Sequence, residues 1–160
     1  MTTPPEDTER EPTVWIDADG APGAVKDMIF KASQRTRAPV MVVANRWQQT
    51  PKFRWIQSIV VDGGLDVADD YIAEHCQPGD LVVTSDIPLA ARVVESGSTV
   101  IRFRGEVLDA ANVQQRLQVR DLLDDLRGSG VQTGGPPPYG PKDKQRFANA
   151  LDKWLAKRTP

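Results

Sequence analysis

The stretch that decides the fold reads Val14-Trp15-Ile16-Asp17-Ala18-Asp19-Gly20-Ala21-Pro22. A short apolar run of this kind predicts a buried strand, and the Gly/Pro turn marks the end of that strand. Open α/β sheets bind their ligands at the carboxyl ends of the strands, which is where Asp17 and Asp19 emerge. Because two carboxylates there contribute nothing to core packing, the stretch predicts the first strand of an α/β fold and part of a functional site.

Strand-like apolar runs and amphipathic helical patterns alternate along the rest of the chain. We predict further strands at 39–44, 56–61, 80–84 and 98–103. Helices are predicted to begin at Pro22, Asp66, Asp86, Ala110 and about Lys142. Such alternation is typical of a mostly parallel sheet with helices on both faces. The predicted fold class is therefore α/β, a three-layer α/β/α arrangement with a mostly parallel central sheet of about five strands.

The chain of 160 residues is long enough for one domain with a full core and too short for two ordinary ones. Residues 1–12 hold three prolines and charges of both signs, so we predict a mobile tail followed by a single domain at 13–160. The Gly/Pro-rich stretch 133–141 predicts a loop. In the fourth predicted helix, the candidate core residues are Val113, Leu117, Val119, Leu122, Leu123 and Leu126.

Composition narrows the functional classes. The single cysteine, Cys76, excludes an intramolecular disulfide, and the single histidine, His75, leaves too few ligands for zinc and no Ser/His/Asp triad. The formal charge of −2 provides no overall attraction to nucleic acid or membrane, so a polyanion partner requires local patches or metal ions. Because no apolar run spans a bilayer and the first residues lack the regions of a signal peptide, we expect a cytoplasmic protein without a membrane partner.

Several aspartates follow predicted strands or begin predicted helices, and these are Asp17, Asp19, Asp66 and Asp86. If the strands are parallel, the ends of the first and fourth strands can be neighbours. Asp17, Asp19 and Asp86 then repel one another unless they are protonated or joined by a cation. Ligands that are all oxygen suit Mg²⁺ or Mn²⁺. Asp66 and Asp86 also fit helix N-caps, which stabilise a helix by about 1 kcal/mol without any chemistry.

Cations and aromatic residues are interleaved after the second predicted strand, as Arg46-Trp47 and Lys52-Phe53-Arg54-Trp55. This pattern is typical of stacking and phosphate contacts on a single-stranded nucleic acid, although aromatic anchoring of a loop produces it as well. Two interpretations of the arginines at 102, 104, 116 and 120 remain open. They either line the cleft and offset the negative charge of its acids, so that a polyanion can bind, or lie on solvated helix and strand faces. The candidate substrate-binding residues are Asn45, Arg46, Trp47, Lys52, Arg54 and Arg104.

Successive motifs between about residues 14 and 155 resemble those of the YaiI/YqxD family of bacterial proteins. They are Asp17-Ala18-Asp19-Gly20-Ala21-Pro22, Val43-Ala44-Asn45, Asp66-Val67-Ala68-Asp69, Gly79-Asp80-Leu81-Val82-Val83-Thr84-Ser85-Asp86-Ile87-Pro88-Leu89-Ala90, Arg104-Gly105-Glu106 and Thr133-Gly134-Gly135-Pro136. One position departs from that pattern, because Ala21 stands where relatives usually have a cysteine.

That family in turn resembles PIN-like nuclease domains, whose acids lie at the ends of the first and fourth strands and on an intervening helix. The resemblance implies that Asp17, Asp69 and Asp86 are the catalytic, metal-binding acids, with Asp19 and Asp66 as additional metal ligands. It also implies a strand order that brings Asp17 beside Asp86.

The leading hypothesis is a metal-dependent nuclease that hydrolyses phosphodiester bonds in RNA with Mg²⁺ or Mn²⁺. One alternative is a phosphatase of the haloacid dehalogenase type, in which Asp17 attacks phosphorus and Asp19 handles the proton. The later part of the chain fits this alternative badly, because a lysine and then an acidic pair should follow Thr84, whereas Asp69-Asp70 comes before it. A second alternative is a non-catalytic module that binds RNA or protein. Both a monomer and a homodimer are compatible with the sequence.

Overall fold

The computed structural model describes residues 11–64, 66–130 and 137–158. The strands are β1 (Val14–Asp17), β2 (Val40–Ala44), β3 (Ile56–Val60), β4 (Leu81–Val83), β5 (Thr99–Ile101) and β6 (Val107–Leu108). The helices are α1 (Gly23–Thr36), α2 (Val67–His75), α3 (Ile87–Glu95), α4 (Val113–Gly128) and α5 (Pro141–Lys157). Residues 1–10 of the predicted tail and 133–136 of the predicted loop lie outside the described residues.

The sheet has the strand order β3-β2-β1-β4-β5-β6, and every pairing is parallel except that of β5 with β6. The α/β class and the mostly parallel sheet are confirmed. The sheet has six strands rather than about five, because β6 is only two residues long and too short to produce a recognisable alternation. The chain moves outwards from β1 to β3 and then crosses to β4, so the order reverses between β1 and β4. Ligands bind at such a switch point in open α/β sheets.

Both faces of the central strands are buried. Val14 and Ile16 of β1 pack in the cluster that includes Phe147 of α5, whereas Trp15 between them packs on the opposite face with Ile72 of α2. This two-sided burial explains why β1 reads as a continuous apolar run instead of an alternating one. None of the described helices combines the length and the apolar character that a membrane crossing requires.

The predicted core face of α4 is only partly correct. Val113 is buried and Leu117 packs against the core, but Val119 and Leu122 are 40% and 59% exposed. Helical periodicity identifies which side chains share a face of α4, but it carries no information on how far along the helix a neighbouring element extends. The apolar pattern therefore continues past the part of α4 that packs against the core.

Candidate functional site

A single hydroxyl group joins the ends of the two strands at the switch point. Asp17 is the last residue of β1, and its Oδ2 accepts a hydrogen bond of 2.8 Å from Thr84 Oγ1. Thr84 directly follows β4 and is completely buried, and its Oγ1 accepts a hydrogen bond of 3.0 Å from the backbone N–H of Asp86. Thr84 is not among the site residues predicted from the sequence. The signal that could have identified it is its position directly after a buried strand and two residues before Asp86.

Asp86 has the predicted helix-capping role. Its Oδ1 accepts a hydrogen bond of 3.0 Å from the backbone N–H of Leu89 in the first turn of α3. Capping holds this carboxyl group in a fixed position at the amino end of α3. A capped carboxylate can still offer an oxygen to another group, so this role is compatible with a role in chemistry.

Asp69 lies in the first turn of α2 and faces Asp86. Burial raises the pKa of Asp69 to about 7, assisted by a side-chain hydrogen bond to Asp86 and then by the negative charges of Asp86, Asp17 and Asp66. A hydrogen bond that raises the pKa of an acid stabilises its protonated form, so neutral Asp69 donates to Asp86. Asp69 of α2 and Asp86, the residue that caps α3, therefore share a proton here.

The prediction that the Asp66 side chain caps α2 is wrong. Asp66 precedes the helix with a φ of 63°, and its carboxyl group makes no capping hydrogen bond. A capping residue normally has an extended backbone, which directs its side chain back to the N–H groups of the first turn. The left-handed backbone of Asp66 prevents this geometry. Its charge nevertheless contributes to the raised pKa of Asp69.

Asp17 and Asp19 belong to the same group of acids. Burial raises the pKa of Asp17, the hydrogen bond from Thr84 opposes this effect, and the charges of Asp86 and Asp19 raise the pKa further. Asp19 is exposed, and its Oδ2 accepts a hydrogen bond of 2.8 Å from the backbone N–H of Asn45 after β2. The five acids predicted as metal ligands therefore form one electrostatic group, which we call the acidic cluster: Asp17, Asp19, Asp66, Asp69 and Asp86.

The carboxyl groups of the acidic cluster have separate hydrogen-bond partners. Asp69 hydrogen-bonds to Asp86, while Asp17 hydrogen-bonds to Thr84 and Asp19 to the backbone of Asn45. Within residues 11–64, 66–130 and 137–158, no group of three or more His, Cys, Asp or Glu side chains is arranged so that it could hold a metal ion. The ligand chemistry suits Mg²⁺ or Mn²⁺, since all the side chains are carboxyl groups, but a shared ion requires reorientation of these side chains.

The loop between β2 and β3 contains an aromatic residue that anchors the loop and another that is exposed to solvent. Trp55 is an anchor, because its Nε1 donates a hydrogen bond of 3.2 Å to the carbonyl of Ser33 in α1 and its ring lies 5.0 Å from that of Phe53. Trp47 is 72% exposed. The neighbouring polar candidates are exposed as well, and they are Asn45, Arg46, Lys52 and Arg54. The loop thus exposes aromatic surface, and it begins at Asn45, whose backbone is hydrogen-bonded to Asp19 of the acidic cluster.

Arg104 is held by the protein itself. Its Nη1 donates to Asp143 Oδ2 at 2.9 Å, its Nη2 donates to the carbonyl of Pro137 at 2.5 Å, and its guanidinium carbon lies 5.8 Å from the ring centre of Tyr139. These contacts fasten the turn between β5 and β6 to the start of α5. The structure therefore gives Arg104 a structural role that the sequence did not indicate.

The chain matches the family model described as "Uncharacterized BCR, YaiI/YqxD family" over residues 15–157. A UPF0178 protein of Xanthomonas campestris pv. campestris is 49% identical over 146 residues, which is 91% of this chain and 91% of the relative. UPF0178 proteins of Shewanella baltica and Cronobacter sakazakii are 46% and 48% identical over 144 and 145 residues, which cover 90% and 91% of this chain and 96% of each relative. No solved structure matches the chain.

Proposed function

The chain belongs to the YaiI/YqxD family, and we propose that it is a metal-dependent nuclease that hydrolyses phosphodiester bonds in single-stranded RNA. The PIN-like character of the domain is part of this proposal. The observation that carries it is the raised pKa of Asp69, about 7, in a group of acids contributed by distant parts of the chain. Perturbed carboxyl groups in such a group are typical of functional sites, and a structural role gives no reason to crowd them.

In the proposed reaction, Asp17, Asp69 and Asp86 would hold Mg²⁺ or Mn²⁺, and Asp19 and Asp66 would add negative charge or further ligand oxygens. When bound, such an ion would supply an activated water and would stabilise the charge that develops on phosphate. Asp69 must lose the proton that it shares with Asp86 before it can bind the ion. Thr84 orients the Asp17 carboxyl group through its hydrogen bond, which keeps one ligand in a defined position.

Substrate binding is assigned to the exposed loop after β2. Trp47 offers a stacking surface for a base, which is a contact that unpaired nucleotides can make without sequence preference. Arg46, Lys52 and Arg54 are exposed cations that can contact phosphate groups. These features support a single strand rather than a duplex as the substrate, since stacked bases in a duplex are not available to a loop aromatic residue.

The test is cleavage of a fluorescent single-stranded RNA during a titration with Mn²⁺. Asp17→Asn removes a charged ligand and is expected to lower the cleavage rate by about 1000-fold, which corresponds to roughly 4 kcal/mol of transition-state stabilisation. The matched control is Asp27→Asn, because Asp27 is an exposed aspartate of α1 outside the acidic cluster.

Two results contradict the nuclease proposal. One is cleavage that survives Asp17→Asn, and the other is the absence of any divalent-ion binding by the wild-type protein. Capture of RNA without turnover, unchanged by Asp17→Asn, supports a binding module instead. A phosphorylated Asp17 trapped from a small phosphate ester supports the phosphatase alternative.

A further inference from the structure

A second charged surface begins beside the acidic cluster and extends to α5. A cavity of about 370 Å³ is lined by Gly20 and Ser85, the sequence neighbours of Asp19 and Asp86, and by the turn that follows β5. A second cavity of about 500 Å³ shares Arg102, Arg104 and Glu106 with the first. We call the two together the basic groove; its cationic residues are Arg102, Arg104, Arg116, Arg146 and Lys153.

The groove carries excess positive charge in a protein whose formal net charge is −2. Its carboxylate, Glu106, is shared by two cations, since it accepts hydrogen bonds from Arg102 Nη1 at 2.9 Å and from Arg116 Nη2. The side chains of Arg146 and Lys153 are exposed, and neither makes a hydrogen bond or ion pair with another side chain in the described parts of the chain. Because they are seven residues apart, they lie on the same face of α5, about 10 Å from each other along its axis.

One donor in the groove wall lacks an acceptor. Arg102 lines both cavities, and its Nε is buried without a hydrogen-bond partner among the described residues. A buried donor without a partner is unfavourable, and an acceptor oxygen from a bound ligand can remove this cost. Because Arg102 lines both cavities, its side chain lies where a strand that passes from one cavity to the other would cross.

The groove is preformed by close packing. Gly105 has a φ of +97°, and a Cβ built on it would lie only 2.6 Å from the backbone carbonyl carbon of Arg146. Arg104 bridges the same turn to Asp143 at 2.9 Å. The turn between β5 and β6 is thereby held directly against α5, so that binding does not require ordering of either wall.

We propose that the basic groove binds the phosphate backbone of the RNA strand on one side of the scissile bond, with the loop that carries Trp47 on the other side. The identity of the ligand rests on the proposed nuclease function. The groove assignment specifies the path of the RNA strand. The strand runs from the acidic cluster across the turn that contains Arg102 to Arg146 and Lys153 of α5. These two α5 cations contact phosphate and have no part in the chemistry.

The test measures binding alone. Fluorescence anisotropy follows the affinity for a labelled oligouridylate of about 12 nucleotides in EDTA, at several salt concentrations. Arg146→Gln with Lys153→Gln is expected to weaken binding by about 10-fold and to reduce the slope of log K against log salt by about 1.4, because two phosphate contacts are lost. The matched control is Lys31→Gln with Lys144→Gln, which removes the same charge from exposed positions outside the groove.

The outcome separates this inference from the nuclease proposal. An equal loss of affinity in the groove variant and the control, no loss in either, or no binding by the wild-type protein overturns the groove assignment. Groove-dependent binding without cleavage in Mn²⁺ supports the groove and refutes the nuclease. Cleavage by the wild-type protein with normal binding by the groove variant refutes the groove and leaves the nuclease proposal intact.

Discussion

Carboxyl groups lie at both ends of the paired strands β1 and β4, and their surroundings are opposite. At the amino end, Asp80 is fully buried and accepts hydrogen bonds of 2.9 Å from the backbone N–H groups of Thr13 and Gln77 and from Trp15 Nε1. At the carboxyl end, Asp17 has a donor in Thr84, but Asp69 and Asp86 share a proton and the remaining acids repel them.

The two ends differ in how many hydrogen-bond donors face each carboxyl group. A buried carboxylate that accepts several hydrogen bonds is stabilised by its surroundings, and Asp80 therefore joins β1, the end of α2 and the start of β4. Carboxyl groups that face one another lack that compensation and have an unfavourable energy in the absence of a cation. The amino end is thus built for stability, whereas the carboxyl end carries unfavourable repulsion that the proposed metal ion would relieve.

The same substitution at the two ends tests this comparison most strongly. Asp80→Asn turns an amide N–H₂ towards a buried donor in either orientation of the amide, so we expect a loss of about 3 kcal/mol in the free energy of unfolding. Asp86→Asn retains a good capping side chain and removes one repelling charge, so we expect the stability of the metal-free protein to be unchanged or raised.

Urea denaturation at pH 8 without divalent ions measures both variants. A large loss of stability in Asp86→Asn would show that capping dominates at the carboxyl end and would remove the contrast. A loss of less than about 1 kcal/mol in Asp80→Asn would show that the buried donors at the amino end find other acceptors.

The next largest effect is expected when Thr84, which donates a hydrogen bond to Asp17 at the carboxyl end, is replaced. Thr84→Val keeps the shape of the side chain but removes the hydroxyl, so the pKa of Asp17 rises further and its carboxyl group loses its orientation. We expect Mn²⁺ affinity, measured by isothermal titration calorimetry, to fall by about 10–100-fold. Thr84→Ser restores the hydroxyl and should restore the affinity. Equal affinities for Thr84→Val and the wild-type protein would limit Thr84 to a packing role.

The smallest expected effect is on stability as a function of pH. The pKa of Asp69 is about 7 in the folded protein, above its ordinary value of 3.8, so folding favours the protonated form. Its contribution to stability is therefore complete below about pH 4 and is lost as the pH rises through 7. Because Asp69 is partly exposed, solvent screening limits the loss to about 1 kcal/mol.

Asp69→Asn removes this titration. The difference in unfolding free energy between the variant and the wild-type protein, measured from pH 4 to 8 without divalent ions, should grow in favour of the variant and level off above pH 7. A difference that does not change with pH would mean that Asp69 is ionised throughout this range, and the shared proton would then be excluded.

Local features of the sequence determined the succession of strands and helices and one capping residue. The apolar runs of β1, β2 and β4 each read as buried strands because both faces are covered. Asp86 was recognised because an N-cap depends on residues only three positions away. The same rule failed at Asp66, where a left-handed backbone, invisible in the sequence, directs the side chain elsewhere.

Contacts between distant residues were decided by the tertiary structure. Asp17 and Thr84 are 67 positions apart, and Arg104 meets Asp143 across 39. Such pairs depend on the strand order and on the docking of α5, and neither can be inferred from helical or strand periodicity. The resemblance to a family implied that Asp17 and Asp86 are neighbours, but the donors available to each carboxyl group followed only from packing. Periodicity is a property of adjacent residues, whereas a hydrogen bond requires two atoms within about 3 Å, and only the folded chain sets that distance.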